Sequence, residues 1–276
     1  MKISASLVLY NSPRAQFEAC IRDFLASSPG SLLHVADNSP QPLESTWFDN
    51  PSVRYRHMAS NLGFGAAHNA CLREACRDSD LHLLLNPDIH FGPEVLEQMR
   101  RAFADDPSLV VAMPQILYPD GTLQPLCKLL PTPLDLIVRR FLPVRAWRER
   151  LNDRYELRTL PQDRPSDVPT LSGCFMLIRS LTLTAVGGFD ERFFMYMEDV
   201  DLVRRLGMRG AIRYLPATHI THEYAKGSYR DKKLLGYHLR SAVHYFNKWG
   251  WLLDAHRRKV NRACLQALRA PTRHTK

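Results

Sequence analysis

The chain has 276 residues, of which 45% are hydrophobic and 24% charged, and its formal net charge is +9. That composition excludes a disordered chain and suffices for one large α/β domain, alone or with an appendage. No run approaches the ~18–20 unbroken apolar residues that cross a bilayer, and the first ten residues lack the small-residue cleavage site of a secretory leader.

The positive charge is concentrated at one end. Residues 226–276 hold 13 Lys/Arg against Asp231 and Asp254, so this tail carries +11 and the remainder −2. A basic face of that kind suits anionic lipid, a phosphorylated acceptor or nucleic acid. Nucleic acid is the weakest of these, because no zinc-spaced recognition helix, RNP strand or GXXG loop is present. The six cysteines are scattered, the closest pair (Cys71, Cys76) having four residues between them. That spacing fits neither a CxxC redox motif nor a zinc knuckle and reads as reduced core thiols of a cytoplasmic protein.

In chain order, residues 3–10 are apolar and β-prone, 13–26 carry helical spacing through Phe17, Cys20, Ile21, Phe24 and Leu25, and 32–36 form a second short apolar run. The alternation continues with strands at 53–58, 81–85 and 109–113 and helices at 63–76 and 93–103. Strands this apolar on both faces predict a mostly parallel sheet covered by helices. Between 119 and 169 the rhythm breaks into prolines and arginines, an insertion with helical character around 134–158. It resumes with a strand at 170–179, helices at 180–186 and 199–208, a strand at 211–215, an amphipathic helix at 232–249 and a basic end.

Five places carry side chains suited to chemistry. Asp37-Asn38-Ser39 ends the second strand, where open α/β sheets bind ligands, although Asp and Asn also cap turns. Asn61-Leu62-Gly63-Phe64-Gly65, with Asn69, opens a helix whose free amides suit an anion, although two such glycines more often serve a tight turn and a close helix contact. Asn86-Pro87-Asp88 closes a buried strand and holds Asp88 where a metal or diphosphate would sit, or forms a plain Asx-Pro turn. Glu198-Asp199-Val200-Asp201 offers a base or metal ligand, or helix-start acids worth about 0.3–1 kcal/mol each through the dipole. His222, 23 residues beyond Asp199, is a ligand candidate only in the company of the others.

Taken in order, these segments resemble the nucleotide-sugar-dependent glycosyltransferases of family 2, and more closely their bacterial rhamnosyltransferase branch. The resemblance spans residues 3 to about 225. It rests on Leu7-Val8-Leu9-Tyr10-Asn11, on the 37–39, 61–69 and 85–88 segments, on Ser172-Gly173-Cys174-Phe175, and on Gly187-Gly188-Phe189-Asp190-Glu191 running into 198–202. It implies a GT-A fold, a Rossmann-like sheet flanked by helices; the basic helical tail expected over 226–276 lies outside the resemblance. It also implies an inverting displacement at the anomeric carbon and a divalent cation, Mg2+ or Mn2+, on the donor diphosphate. Carried over by position, Tyr10, Asn11, Asp37, Asn38, Asn61, Gly63, Gly65, Asn69, Asn86 and Asp88 would line the donor site. Asp88 and His222 would hold the metal, and Asp199 with Glu198 would serve as the base. Asn86 stands where the family's DxD element has its first acid, which leaves fewer charged ligands.

The activity expected is transfer of a sugar, foremost L-rhamnose from dTDP-L-rhamnose, to a cell-surface glycan or lipid-linked precursor, in the cytoplasm or peripherally on the inner membrane. A UDP-sugar donor (glucosyl or galactofuranosyl) and a non-catalytic nucleotide- or glycan-binding protein stand as alternatives. The 232–249 helix would lie on a membrane surface or pack on its own body.

Overall fold

The computed structural model describes residues 1–138, 145–223 and 232–269. The first half alternates as its hydrophobic pattern requires: β1 (Ile3–Leu9), α1 (Arg14–Ser27), β2 (Leu32–Asp37), β3 (Val53–His57), α2 (Phe64–Ala75), β4 (Leu81–Leu85), β5 (Ile89–His90), α3 (Glu94–Asp105) and β6 (Leu109–Leu117). Helix α1 buries Phe17, Cys20, Ile21 and Phe24, one face at helical spacing, and every residue of β4 is buried. The second half supplies α4 (Arg145–Tyr155), β7 (Ser166–Asp167), β8 (Phe175–Arg179), α5 (Ser180–Ala185), α6 (Glu198–Leu206), β9 (Ala211–His222), α7 (Lys232–Trp249) and α8 (Ala255–Arg269).

The strands form one sheet in the order β3-β2-β1-β4-β8-β6-β9-β5, with β7 paired to β9. β3, β2, β1, β4, β6 and β9 run one way, while β8, β5 and β7 are reversed. The sheet is therefore mostly parallel, and its chain order reverses between β1 and β4. At such a switch point the carboxyl ends of neighbouring strands part and leave a crevice for a ligand.

Three strands depart from the expected limits by more than a residue, and of these β6 runs on to Leu117. β9 runs on to His222 because residues 216–218 bulge out of its ladder with β6, so Pro216, which lacks an N–H, interrupts the register without ending the strand. β8 begins at Phe175 and leaves residues 172–174 as a turn. The proline-rich stretch 119–169, outside its undescribed residues 139–144, is built into the body: Leu129, Tyr155, Leu157, Leu160 and Val168 all join the main core. The expected boundary at 225 lies outside the described residues.

The C-terminal helices pack on this body. Ala242, Tyr245 and Phe246 of α7 form a second core with Phe193 and Met197, and Cys264, Leu265 and Leu268 of α8 pack on the first. Polar clamps fix the docking. Asp201, fully buried, accepts from Arg205 Nε at 2.8 Å, Lys248 Nζ at 2.9 Å and Trp249 Nε1 at 2.7 Å. Asp254 takes two bonds from the buried Arg204 guanidinium, at 2.7 and 2.8 Å. No helix among the described residues is long and apolar enough to cross a membrane.

Beneath the sheet lies a buried histidine cluster. Ser6 Oγ contacts His68 Nδ1 at 2.7 Å and His82 Nε2 at 2.8 Å, while Ser4 Oγ reaches His82 Nδ1 at 2.8 Å. Burial holds His68 down to about 3 and lowers His34, and burial together with the neighbouring His68 and His34 lowers His82 further.

Two outcomes follow from these buried groups. The unfolded histidines protonate below about 6.5 and the folded ones do not, so stability is intact above that pH and falls below it, by roughly 2 kcal/mol at about pH 5 from His68 alone. Urea midpoints measured across that range check this, and a flat profile contradicts it. Asp201→Asn leaves two cations short of their carboxylate and should cost roughly 3 kcal/mol, read from the same unfolding curves.

Candidate active site

The crevice edge collects the segments singled out in the sequence. At the end of β2, Asp37 is fully buried and accepts from Ser39 N at 2.9 Å, Leu43 N at 2.8 Å and Tyr55 Oη at 2.7 Å. Burial raises its carboxyl, and these hydrogen bonds outweigh that and hold it below the usual range. Asn38 gives its amide to Gly63 O at 3.1 Å, while its own Oδ1 is buried without a partner. Beside them, past the end of β1, Asn11 takes a left-handed backbone (φ 48°) and donates its N–H to Ser39 Oγ, and Tyr10 is exposed.

The glycines work against protein. Gly63 adopts φ +86° and a Cβ there would lie 2.2 Å from Phe194 O; at Gly65 a Cβ would meet Phe189 Cβ at 2.9 Å. The first amides of α2 are engaged, Gly63 N with Asn61 Oδ1 and Phe64 N with Phe194 O. Asn69 is a two-ended clip, accepting from Phe189 N at 2.8 Å and donating to Phe189 O and Glu191 Oε1 at 2.9 Å each. Of the two readings of this segment, the structure shows the tight turn and close contact: these residues hold the 187–197 loop over α2.

Asn86 follows β4, its backbone tied by N–H to Cys174 O at 3.0 Å. Two residues on, Asp88 Oδ1 lies 3.3 Å from His222 Nε2, brought there because Ile89 pairs with His222 across β5 and β9. Gln124 fixes the imidazole. Its amide nitrogen donates to His222 O at 2.8 Å and to Leu117 O at 3.3 Å, so its Oε1, 3.0 Å from His222 Nδ1, is the acceptor and Nδ1 carries the proton. Nε2 is the ring atom that faces the Asp88 carboxylate. Asp88 Oδ1 has no hydrogen-bond donor.

A carboxylate beside a histidine that is oriented through its other nitrogen is a pair able to ligate a cation. No cluster of three or more metal-ligating side chains occurs among the described residues. The donor set of one carboxylate and one imidazole fits a divalent ion that takes its remaining ligands from diphosphate oxygens and water.

Asp199 opens α6 next to Glu198. Its oxygens accept from Gly173 N at 3.1 Å and Val200 N at 2.8 Å, and burial outweighs these bonds to raise its carboxyl. Glu198 is 6% exposed with Oε2 unpartnered, and burial followed by the Asp199 charge raises it well above the carboxylate range. Both are aimed by an unusual turn in which Tyr196 and Met197 are left-handed, at φ 67° and 65°. The 173–174 turn therefore touches both halves of the site, Asn86 through Cys174 and Asp199 through Gly173. A Cβ on Gly173 would come within 3.2 Å of Asp199 Cβ, so a side chain there would press on Asp199.

Sequence reasoning missed Gln124 and the role of Gly173. A lone glutamine in a proline-broken stretch carries no signal. Gly173 stood inside an expected strand, where an isolated glycine is itself a sign of close backbone approach.

Residues 10–181 match glycosyl transferase family 2. The chain is 33% identical over 234 residues, 80% of its own length and 72% of the relative's, to an N-acetylglucosaminyl-diphospho-decaprenol L-rhamnosyltransferase of Mycobacterium tuberculosis. Over 77 residues, 27% of this chain and 29% of the relative, it is 42% identical to the rhamnosyltransferase WbbL of Escherichia coli. In fold it matches the mannosyltransferase PcManGT of Pyrobaculum calidifontis, solved with GDP-Man and Mn2+, with a TM-score of 0.58 at 14% identity over 96% of this chain and 74% of that one. With the family matched over more than half its length and a relative one-third identical, the chain belongs to glycosyl transferase family 2 and is a nucleotide-sugar-dependent glycosyltransferase of GT-A fold.

Proposed function

We propose that this enzyme transfers L-rhamnose from dTDP-L-rhamnose, with inversion at the anomeric carbon, to a saccharide or lipid-linked glycan that is a precursor of a cell-surface polysaccharide. The observation that carries the reading is the gathering of two chemically different acidic sites around one turn, Asp88 facing His222 and Asp199 beside Glu198. The rhamnosyl donor and the lipid-linked acceptor are supported by the mycobacterial relative's name.

In this reading Asp37 and Asn38 hold the nucleoside, flanked by Tyr10 and Asn11. Asn61, Gly63, Gly65 and Asn69 shape the site from behind by fixing the 187–197 loop. Asp88 and His222, with Asn86 beside them, hold Mg2+ or Mn2+; Mn2+ accompanies the donor in PcManGT. A divalent ion so held supplies Lewis-acid neutralisation of the leaving diphosphate.

Asp199 takes the proton of the acceptor hydroxyl as that oxygen bonds to C1, while the C1–O bond to the diphosphate breaks on the opposite face. Its raised carboxyl makes it a better proton acceptor than an ordinary aspartate. Glu198, held protonated by burial and by its neighbour, leaves the negative charge on Asp199.

Asp199→Asn should reduce kcat roughly 10²- to 10⁴-fold while calorimetric binding of dTDP-rhamnose persists. In the parent, kcat/KM should fall on the acid side through a midpoint above the ordinary aspartate value of 3.8, and the variant should lack that limb. Binding of UDP-glucose or UDP-galactose in preference to dTDP-rhamnose would overturn the donor assignment. Gln124→Leu should weaken Mg2+ or Mn2+ activation roughly 10- to 100-fold with the circular dichroism spectrum unchanged, since it frees the imidazole to rotate.

A further inference from the structure

The turn between α7 and α8 is held rigidly from within, yet it points its apolar side chains outward. Gly250 reverses the chain at φ +100°, and a Cβ there would lie 2.9 Å from Leu253 O. Arg257, 4% exposed, turns its guanidinium onto the carbonyls of Trp251 at 3.1 Å, Gly250 at 3.4 Å and Leu252 at 3.5 Å, and onto Pro131 O at 3.1 Å. Asp254 is pinned by Arg204. On this fixed loop Leu252 is 79% and Leu253 84% exposed, with Trp251 beside them. Two adjacent leucines standing in water on an ordered turn mark a contact surface.

The charge behind them says what they contact. Arg258, Arg262 and Arg269 of α8, with Arg154 of α4 and the inner Arg257, line an open groove of about 500 Å³ adjoining the turn. From residue 232 to 269 the chain carries nine Lys/Arg, and its one acid, Asp254, is buried against Arg204. A two-fold contact with a second copy would set this basic surface against itself. Leucines ahead of a bank of arginines match an interface whose outer layer is phosphate and whose inner layer is hydrocarbon.

We infer that the α7–α8 turn and the arginine face of α8 dock on an anionic phospholipid surface, with Leu252 and Leu253 entering the headgroup–acyl boundary and Arg258, Arg262 and Arg269 meeting lipid phosphates. The same helix is joined to the catalytic side of the molecule. Asn261 clamps both the N–H and the carbonyl of Leu130 at 2.9 Å, and Lys128, two residues before Leu130, bridges to Thr170. From Thr170 the chain runs through Leu171 and Ser172 to Gly173, whose N–H meets Asp199. The inference deepens the lipid-linked acceptor reading and rests on it only for its purpose; its evidence lies wholly in the α7–α8 surface.

Co-sedimentation of the full chain with vesicles tests it, because binding there needs neither donor nor turnover and so reports separately from the reaction. The parent should bind phosphatidylcholine vesicles doped with phosphatidylglycerol and should bind pure phosphatidylcholine weakly. The double variant Leu252→Asp, Leu253→Asp should lose about tenfold in that binding with an unchanged melting temperature, since both side chains stand in solvent, and Arg258→Glu with Arg262→Glu should lose as much. Three results would each overturn the inference: no binding of the parent to anionic vesicles, binding by both variants as strong as the parent's, or a parent dimer in solution that the leucine variant dissociates.

Discussion

The catalytic edge depends on a strained turn held from outside. Tyr196 and Met197 both sit in the left-handed region, a conformation that costs non-glycine residues on the order of 1–3 kcal/mol each, and it is this reversal that starts α6 at Glu198 and Asp199. Helix α7 supplies the restraint. Met197 is buried with Tyr245 and Phe246, Ser241 Oγ donates to Met195 O at 2.8 Å, and the Tyr196 ring packs on His238 at 5.4 Å. Further along α6, Asp201 binds Lys248 and Trp249 of the same helix. Helix α7 is thus part of what aims Glu198 and Asp199, which ties the tail to the crevice edge.

Burial divides the carboxylates of the site into separate roles. Asp37 is as deeply buried as any, but three donors converge on it and keep it anionic, a fixed acceptor at the strand end. Asp199 has two backbone donors, too few to offset its desolvation, and Glu198 has an unpartnered oxygen and a like charge beside it. Neighbouring acids therefore differ in their affinity for a proton, which lets one remain charged while the other is neutral. Asp88 differs again, because it faces Nε2 of an imidazole that Gln124 has oriented.

The loop 187–197 connects these parts. It is pressed onto α2 through the two glycines and Asn69, and it ends in the left-handed pair before Glu198 and Asp199. The Gly63 turn also carries the carbonyl that Asn38 binds. Movement of this loop would therefore reach both the Asp37–Asn38 end and the Glu198–Asp199 end of the crevice.

The alternation of strands and helices, the limits of the 232–249 helix and the gathering of the polar motifs at strand ends are legible in the amino-acid order, because they follow from local periodicity and from turn residues at the ends of apolar runs. Which polar atoms meet is not. The pairing of Asp88 with His222 comes from the β5–β9 register, across more than a hundred residues of chain, and Gln124 enters only through that pairing. The bulge at 216–218, the turn at 172–174 and the docking of α7 likewise arise from long-range packing. The glycines at 63 and 65 read more as a tight turn and close contact than as an anion cradle, but the partners of that contact, Phe194 and Phe189, lie more than a hundred residues away, where a one-dimensional pattern holds no information.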